Sequence, residues 1–400
     1  MEDKNIQLGL KENWKQFTLL LIVNAFVGGM VGLERTILPE LAEKEFLIVA
    51  TSVVLSFIIV FGLVKAITNY FTGVLANKVG RKNLLIIGWI IAIPIPFILM
   101  YAQHWNWIIF ANVLLGLNQG LTWSSTVVMK IDLVGEKQRG LAMGLNESFG
   151  YFSIALVAFT TGWIASEYGL RPYPFYQGVG FVILGLLMSI FFIKDTAKHV
   201  HAETKSTSVK PLKNIFWETT WKNNNLGSIS QAGFVNNLND GMIWGVLPII
   251  LVGRGFDLKN TAIIVAVYPA VWGIGQLVTG KMSDLYNKKM MLFLGMALQG
   301  IALLFMFWAT TYFQFILLSS LLGAGTAIVY PTFLAAIASF TNPNQRAESI
   351  GAFRLWRDLG YAFGALLTIL IAHFFEVDIT IMVIGILTVF SAIIIKIRMS

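Results

Sequence analysis

The sequence predicts an all-α integral membrane protein, with twelve transmembrane helices in two pseudo-symmetric bundles of six. Three observations carry this. Of 400 residues, 56% are hydrophobic and only 12% charged, against about 25% charged in a soluble domain. Apolar runs of about 20 residues, enough to cross the hydrocarbon layer as helix, recur along the whole chain. The second half also repeats the first at a fixed offset. The strand-like alternation of a β-barrel is absent.

Taken in order, the spans run roughly 17–39, 47–75, 83–102, 107–130, 141–166, 174–193, 224–252, 260–280, 289–309, 313–339, 350–372 and 378–396. Trp and Tyr often fall near the ends of the runs, where amphipathic rings favour the interface. The first run is too long for a signal-peptide core and lacks a small-residue cleavage site, so it reads as span 1. The polar stretch 195–223, containing "KHVHAETKSTSVKPLKN", reads as a cytoplasmic linker. It divides the chain into a bundle over 1–194 and a second over 224–400.

Charge orients the chain. With a cytoplasmic N-terminus, most of the 29 Lys and Arg fall in inner segments. Only Lys44, Arg171, Arg254 and Lys259 lie in outer loops. The positive-inside rule therefore places both termini in the cytoplasm, with the protein in the plasma (inner) membrane. It also accounts for the net charge of +8 without a nucleic-acid partner. There is no Cys, which excludes disulfides, thiolate metal sites and thiol catalysis. His104, His199, His201 and His373 fall in loops or at interfaces, and the linker pair His199 and His201 reads as solvated. No Ser/His/Asp set, phosphate-binding Gly loop or Walker motif is found. Neither an enzyme nor an ATP-driven pump is expected, and no metal or cofactor.

The repeat offset is 207 residues, from "GVLANKVGRK" at Gly73 to "GKMSDLYNKK" at Gly280. It also pairs Gly116 with Gly323, Gln138-Arg139 with Gln345-Arg346, Gly144 with Gly351, and Trp123 with Tyr330. Parallel repeats of this kind suit a transporter whose halves rock around a central site. In the loop after span 2, Gly73 and Gly80 allow close approach and tight turning. Lys78, Arg81 and Lys82 are expected to hold it on the anionic leaflet. An amide at Asn77, or an acid at Asp284, can cap a neighbouring helix.

These loops resemble the signature of the major facilitator superfamily, Gly-x-x-x-Asp-Arg/Lys-x-Gly-Arg-Arg/Lys. Gly73, Lys78, Gly80, Arg81 and Lys82 match it. Asn77 stands where the family usually has Asp. The second copy keeps the acid as Asp284 after Gly280, but has Asn287 in place of the second Gly. Two further family patterns are missing. Asn112 replaces the Arg four residues before Gly116 in span 4. Span 5, "GLNESFGYFSIALVAFTTG", lacks the Gly-Pro-Gly-Gly cluster of drug–proton antiporters. The resemblance implies alternating access, capping by Asn77 of span 11 (read as starting near Ser349), and a pathway lined by spans 1, 4, 7 and 10. On those spans Arg35, Asn118, Trp123, Asn236, Asp240 and Tyr330 are the candidate substrate-binding residues, expected to share one cavity between the bundles. Gln119 and Thr326 sit nearby.

Eight ionisable residues lie inside the spans: Glu34, Arg35, Lys65, Glu147, Asp240, Arg354, Arg357 and Asp358. Each costs about 2.5–3.5 kcal/mol at mid-bilayer, so they should face the interior and pair. Arg354 and Asp358, at i and i+4, are expected to pair within span 11. Coupling and gating are assigned to Glu34, Lys65, Glu147, Arg354, Arg357 and Asp358, with Asp240 and Glu34 the first candidates to carry protons. Lys65 and Asp358 are expected to pair across the halves when the cytoplasmic side is closed. The leading functional expectation is a proton-coupled, monomeric secondary transporter of a small anionic or zwitterionic solute. The alternative is proton-driven efflux of hydrophobic or cationic compounds. An alternative outside transport is a membrane sensor.

Overall fold

A computed structural model describes residues 6–35, 37–48 and 56–400, and no strand occurs among them. The spans form helices at Trp14–Arg35, Ser56–Val79, Arg81–Ala92 continued by Pro94–Tyr101, Trp105–Val134, Arg139–Tyr168 and Tyr176–Phe191. In the second half they lie at Asn224–Gly253, Leu258–Leu285, Lys288–Trp308, Tyr312–Phe340, Pro343–Phe374 and Val377–Arg398. Span 3 is interrupted where Pro94 and Pro96 follow Ile93, because proline cannot donate the helical hydrogen bond.

Among the described residues, ten helices are long and apolar enough to cross a membrane, or eleven when the bent pair Asn224–Trp244 and Val246–Gly253 is one span. The expected count was twelve. The helix Trp105–Val134 does not qualify, since it carries Asn118, Gln119, Ser124, Ser125, Lys130 and Asp132. Its polar residues are buried inside protein, where polar groups can find partners, rather than exposed to lipid.

Helix starts in the second half follow capping chemistry. Asn223, Asp257, Asn287 and Thr311 each accept backbone N–H bonds at the starts of spans 7 to 10. Span 11 corrects the sequence reading. Its helix begins at Pro343 with Asn342 as N-cap, one to two turns before the expected start near Ser349. Asn77 is therefore not its N-cap. Asn-Pro is a strong helix start, with Pro at N1 losing nothing, but it sits in a polar turn that hydropathy does not detect.

The described chain forms two compact units. The first contains residues 1–135, 146–208 and 346–351; the second contains 136–145, 209–345 and 352–400. In the first, span 4 packs against spans 1, 2 and 3, and every residue from Thr122 to Val134 is buried. In the second, span 10 packs against spans 7, 8 and 9, and every residue from Val329 to Ala338 is buried. Each unit is thus built around one central helix.

Candidate functional site

In the first unit, Trp123 of span 4 donates its indole N–H to Glu147 Oε1 of span 5 at 3.3 Å. Asn146 donates to the same oxygen at 2.7 Å. Lys130 donates to Asn146 Oδ1, and Asn24 of span 1 donates to the Asn146 carbonyl at 3.0 Å. A buried carboxylate and a buried ammonium are therefore joined through one amide. Lys65 of span 2 lies with Nζ 5.6 Å from the ring centroids of both Phe61 and Trp123. Trp123 also meets Tyr151 edge to face at 5.8 Å. Glu34 is buried and lines a small cavity with Asn112, Phe57, Phe61 and Leu115. Asn118 donates to the Gly88 carbonyl of span 3 at 2.9 Å, so its amide ties two helices together. The side chain of Arg35 lies outside the described residues.

The second unit has more aromatic surface. Tyr268 of span 8 donates its hydroxyl to Asp240 of span 7, and that hydroxyl lies 3.3 Å from Thr326 Oγ1. The Tyr268 ring stacks on Trp272 at 6.0 Å, and Trp272 meets Tyr330 at 5.1 Å. Arg357 of span 11 covers Tyr330, with its guanidinium 5.1 Å from the ring centroid. Its Nε and Nη2 both reach Asp358 Oδ1, at 2.8 and 2.7 Å.

Arg357 thus reaches Asp358, a partner that helical spacing did not single out. The guanidinium stem is long enough to fold back on its immediate neighbour, and the Tyr330 and Phe353 rings flank it there. Asn236 donates weakly to Asn237 and Asn237 to Asp358, at 3.4 and 3.5 Å. Asn239 bonds Gln299 of span 9 and Thr388 of span 12, so this amide serves packing between helices.

The signature loops act through backbone geometry and buried charge. Gly80 has φ +89° at the turn before Arg81, a conformation that favours glycine. A Cβ on Gly73 would lie 2.4 Å from the Ala347 carbonyl oxygen, and one on Gly280 would lie 2.7 Å from that of Gly140. Asp284 accepts the N–H groups of Gly140 and Leu141 at 2.6 and 2.8 Å. It thereby places an anion at the positive N-terminus of the span 5 helix.

Arg81 departs from its expected role at the lipid surface. It is buried, with Nε 3.4 Å from Asp132. Arg346 bonds Glu203 through both terminal nitrogens, at 2.9 and 2.7 Å, and lies 3.5 Å from Asp132. Thr196 donates to Asp132 at 2.8 Å. The linker is thus partly ordered, as a helix Ala197–Ser206. His199 is not solvated as expected; it is half-buried, 3.2 Å from Asn13 Oδ1, and burial lowers its pKa below 6.5.

Known proteins bear on this architecture directly. The sequence profile of the Major Facilitator Superfamily matches residues 19–232 and 229–399. The chain belongs to that superfamily. It is an integral membrane transporter of small molecules and not an enzyme. This facilitator is 24% identical over 374 residues to the multidrug resistance protein MdtG of Enterobacter lignolyticus, covering 89% of this chain and 85% of that protein. It is 25% identical over 375 residues to MdtG of an Escherichia coli strain, covering 89% and 87%. Among solved structures, the human organic anion transporter MFSD10 superposes with TM-score 0.79 at 14% identity, covering 96% and 99% of the chains. FucP in its outward conformation gives TM-score 0.75 at 14% identity, covering 96% and 98%. At that identity, both report the fold alone.

Of the residues singled out from sequence, Trp123, Glu147 and Lys65 meet in one cluster, and Tyr330, Arg357 and Asp358 in another. Tyr268, Trp272, Asn146 and Lys130 were missed. The repeat offset carried a signal for two of them. It maps Phe61 onto Tyr268 and Lys65 onto Trp272, positions facing Trp123 and Tyr330. Lys130 and Asp132 fell at the end of an apolar run, yet both are fully buried.

Proposed function

We propose that this facilitator exports lipophilic compounds, cationic ones included, in exchange for protons. The observation that carries the reading is Asp240. It is a carboxylate only 2% exposed, bonded by Tyr268, beside an aromatic wall of Tyr268, Trp272 and Tyr330. Ring faces suit the apolar body of a lipophilic cation. The carboxylate suits its charge, or a proton when the ligand has left. One group taking either cation in turn is the simplest basis for exchange. The multidrug relatives, aligned over 89% of the chain, support the same class of cargo.

This reverses the order of the two transport readings drawn from sequence. An anionic solute was favoured by counting cations in spans 1, 2 and 11. In their environment two of those cations are engaged: Arg357 by Asp358 and Lys65 by the Phe61 and Trp123 rings. Glu147 and Glu34 are second protonatable sites in this reading. The protein sits in the inner membrane as a monomer with both termini cytoplasmic.

Proteoliposomes with an imposed pH gradient test it. Wild type should move tetraphenylphosphonium against its gradient. Asp240→Asn should lose that pH-driven movement to background while still allowing downhill flux. Undiminished pH-driven movement in Asp240→Asn removes Asp240 from coupling. Wild-type movement of organic anions but not of tetraphenylphosphonium overturns the cargo class.

A further inference from the structure

Each unit places one of its own cations, half-buried Lys65 or buried Arg357, over a repeat-equivalent aromatic ring. In the first, Lys65 Nζ lies 5.6 Å from the Trp123 centroid. In the second, Arg357 lies 5.1 Å from the centroid of Tyr330, which is 207 positions after Trp123. The two cations come from different places in the repeat, one from span 2 and one from span 11. Duplication alone therefore does not explain the coincidence. What recurs is the use of the ring face. Around Tyr330 that face is extended by Trp272 at 5.1 Å, and the guanidinium also reaches Phe353 at 5.9 Å.

We propose that Tyr330, Trp272 and Phe353 form a cation-recognition platform whose resident occupant is Arg357, and that a lipophilic cation binds by displacing that guanidinium. The ligand class rests on the export reading above. Arg357 and Tyr330 are each 3% exposed, so the ring face is closed to any ligand while the guanidinium covers it. Displacement strands no charge. Arg357 is held to Asp358 at 2.7 Å, and the stem can swing from the ring with that pair intact. Asp240 lies at the other end of the same aromatic wall, through Tyr268, and supplies the ligand's counter-charge.

A built-in competitor also sets selectivity. A guanidinium is planar, delocalised and weakly hydrated. The ligand that replaces it best carries a diffuse, poorly hydrated charge. A compact ammonium is disfavoured, and an anion gains nothing from a ring face.

The test uses the purified full chain with tetraphenylphosphonium and its shape-matched anion, tetraphenylborate. The double variant Arg357→Met with Asp358→Asn removes the resident cation and its carboxylate partner together, so Asp358 is not left as a buried charge without Arg357. It should bind tetraphenylphosphonium about tenfold more tightly than wild type, the equivalent of roughly 1.4 kcal/mol, which lies within the range of a desolvated cation–π contact. Adding Tyr330→Leu should erase the gain. Arg357→Lys, which keeps a cation on the ring, should bind much as wild type does. Tetraphenylborate affinity should not rise in any variant. A folded double variant with unchanged or weaker tetraphenylphosphonium binding overturns the proposal.

If the double variant does not fold, Tyr330→Leu in the wild-type background decides. Weaker tetraphenylphosphonium binding supports the platform and unchanged binding overturns it. The export reading fails by a different result, namely that wild type does not move tetraphenylphosphonium along an imposed proton gradient.

Discussion

The two units share a scaffold to the level of single hydrogen bonds, yet they differ in nearly every residue that carries chemistry. Thr72 donates to the Gly120 carbonyl in the first. Thr279 donates to the Ala327 carbonyl in the second, and both partners are displaced by 207 positions. Gly88 packs against Leu121 and Thr122, and Gly295 against Ile328 and Val329, again at the same offset. On this common frame Lys65 is replaced by Trp272, Glu147 by Arg354, Asn77 by Asp284 and Ser124 by Pro331. The duplicated backbone fixes where a side chain can act. Divergence then placed an acid–amide–ammonium chain in one unit and an aromatic wall in the other.

The largest contrast should appear at the repeated Gln-Arg pair. Arg346 in the first unit balances two carboxylates, Glu203 and Asp132. Its counterpart Arg139 in the second donates to the Ala338 carbonyl at 3.0 Å. Arg346→Ala leaves buried carboxylates without that cation, which costs about 3–5 kcal/mol. Arg139→Ala removes a charged hydrogen bond, worth about 1.5–3 kcal/mol. Thermal unfolding of the purified variants should rank them in that order. Equal losses would mean that the linker carboxylate Glu203 contributes little to holding Arg346.

A smaller effect is expected at the diverged loop acid. Asp284 accepts two N–H bonds at the first turn of span 5, so Asp284→Ala should cost about 1.5–3 kcal/mol. Asp284→Asn keeps an acceptor but loses the charge, and should recover about half of that loss in the same unfolding measurement. Full recovery would show that the charge at this helix end contributes nothing, and that Asn77 in the first unit is an equal substitute.

How much of this was legible in the sequence depended on the length scale of the signal. Hydropathy located the helices of the spans, because crossing lipid requires about 20 mostly apolar residues in a row, although the polar span 4 helix Trp105–Val134 falls short of that standard. The offset of 207 found the signature loops and the Trp123–Tyr330 pair, because packing at Gly73 and Gly280 demands glycine in both copies. Pairing partners were not legible. Helical spacing pointed to Arg354 for Asp358 and gave no sign of the adjacent Arg357, whose guanidinium reaches Asp358 beside the Tyr330 ring. Arg81 read as a headgroup contact, because nothing local reveals that Asp132, some fifty residues later, is buried opposite it. The start of span 11 was misplaced for a related reason. Capping by Asn342 is set by backbone geometry and leaves hydropathy unchanged.

The finest contrast concerns two buried amides at equivalent positions. In the first unit Asn69 accepts from the Ser124 hydroxyl at 2.6 Å. In the second its counterpart is Gln276, and the counterpart of Ser124 is Pro331, which has no hydroxyl to offer. Neither Gln276 side-chain atom has a hydrogen-bond partner among the described residues, although the residue is fully buried. Removing a satisfied polar group costs its bond, whereas replacing an unsatisfied one by a similar apolar shape is neutral or stabilising. Interhelical hydrogen bonds in membranes average about 0.6 kcal/mol, so the expected difference is small but opposite in sign. Asn69→Leu should lower the unfolding temperature slightly, and Gln276→Leu should leave it unchanged or raise it. The comparison breaks if Gln276→Leu is as damaging as Asn69→Leu. That result would mean the amide of Gln276 is bonded in the state that dominates in solution, and that span 8 sits differently there from the arrangement described above.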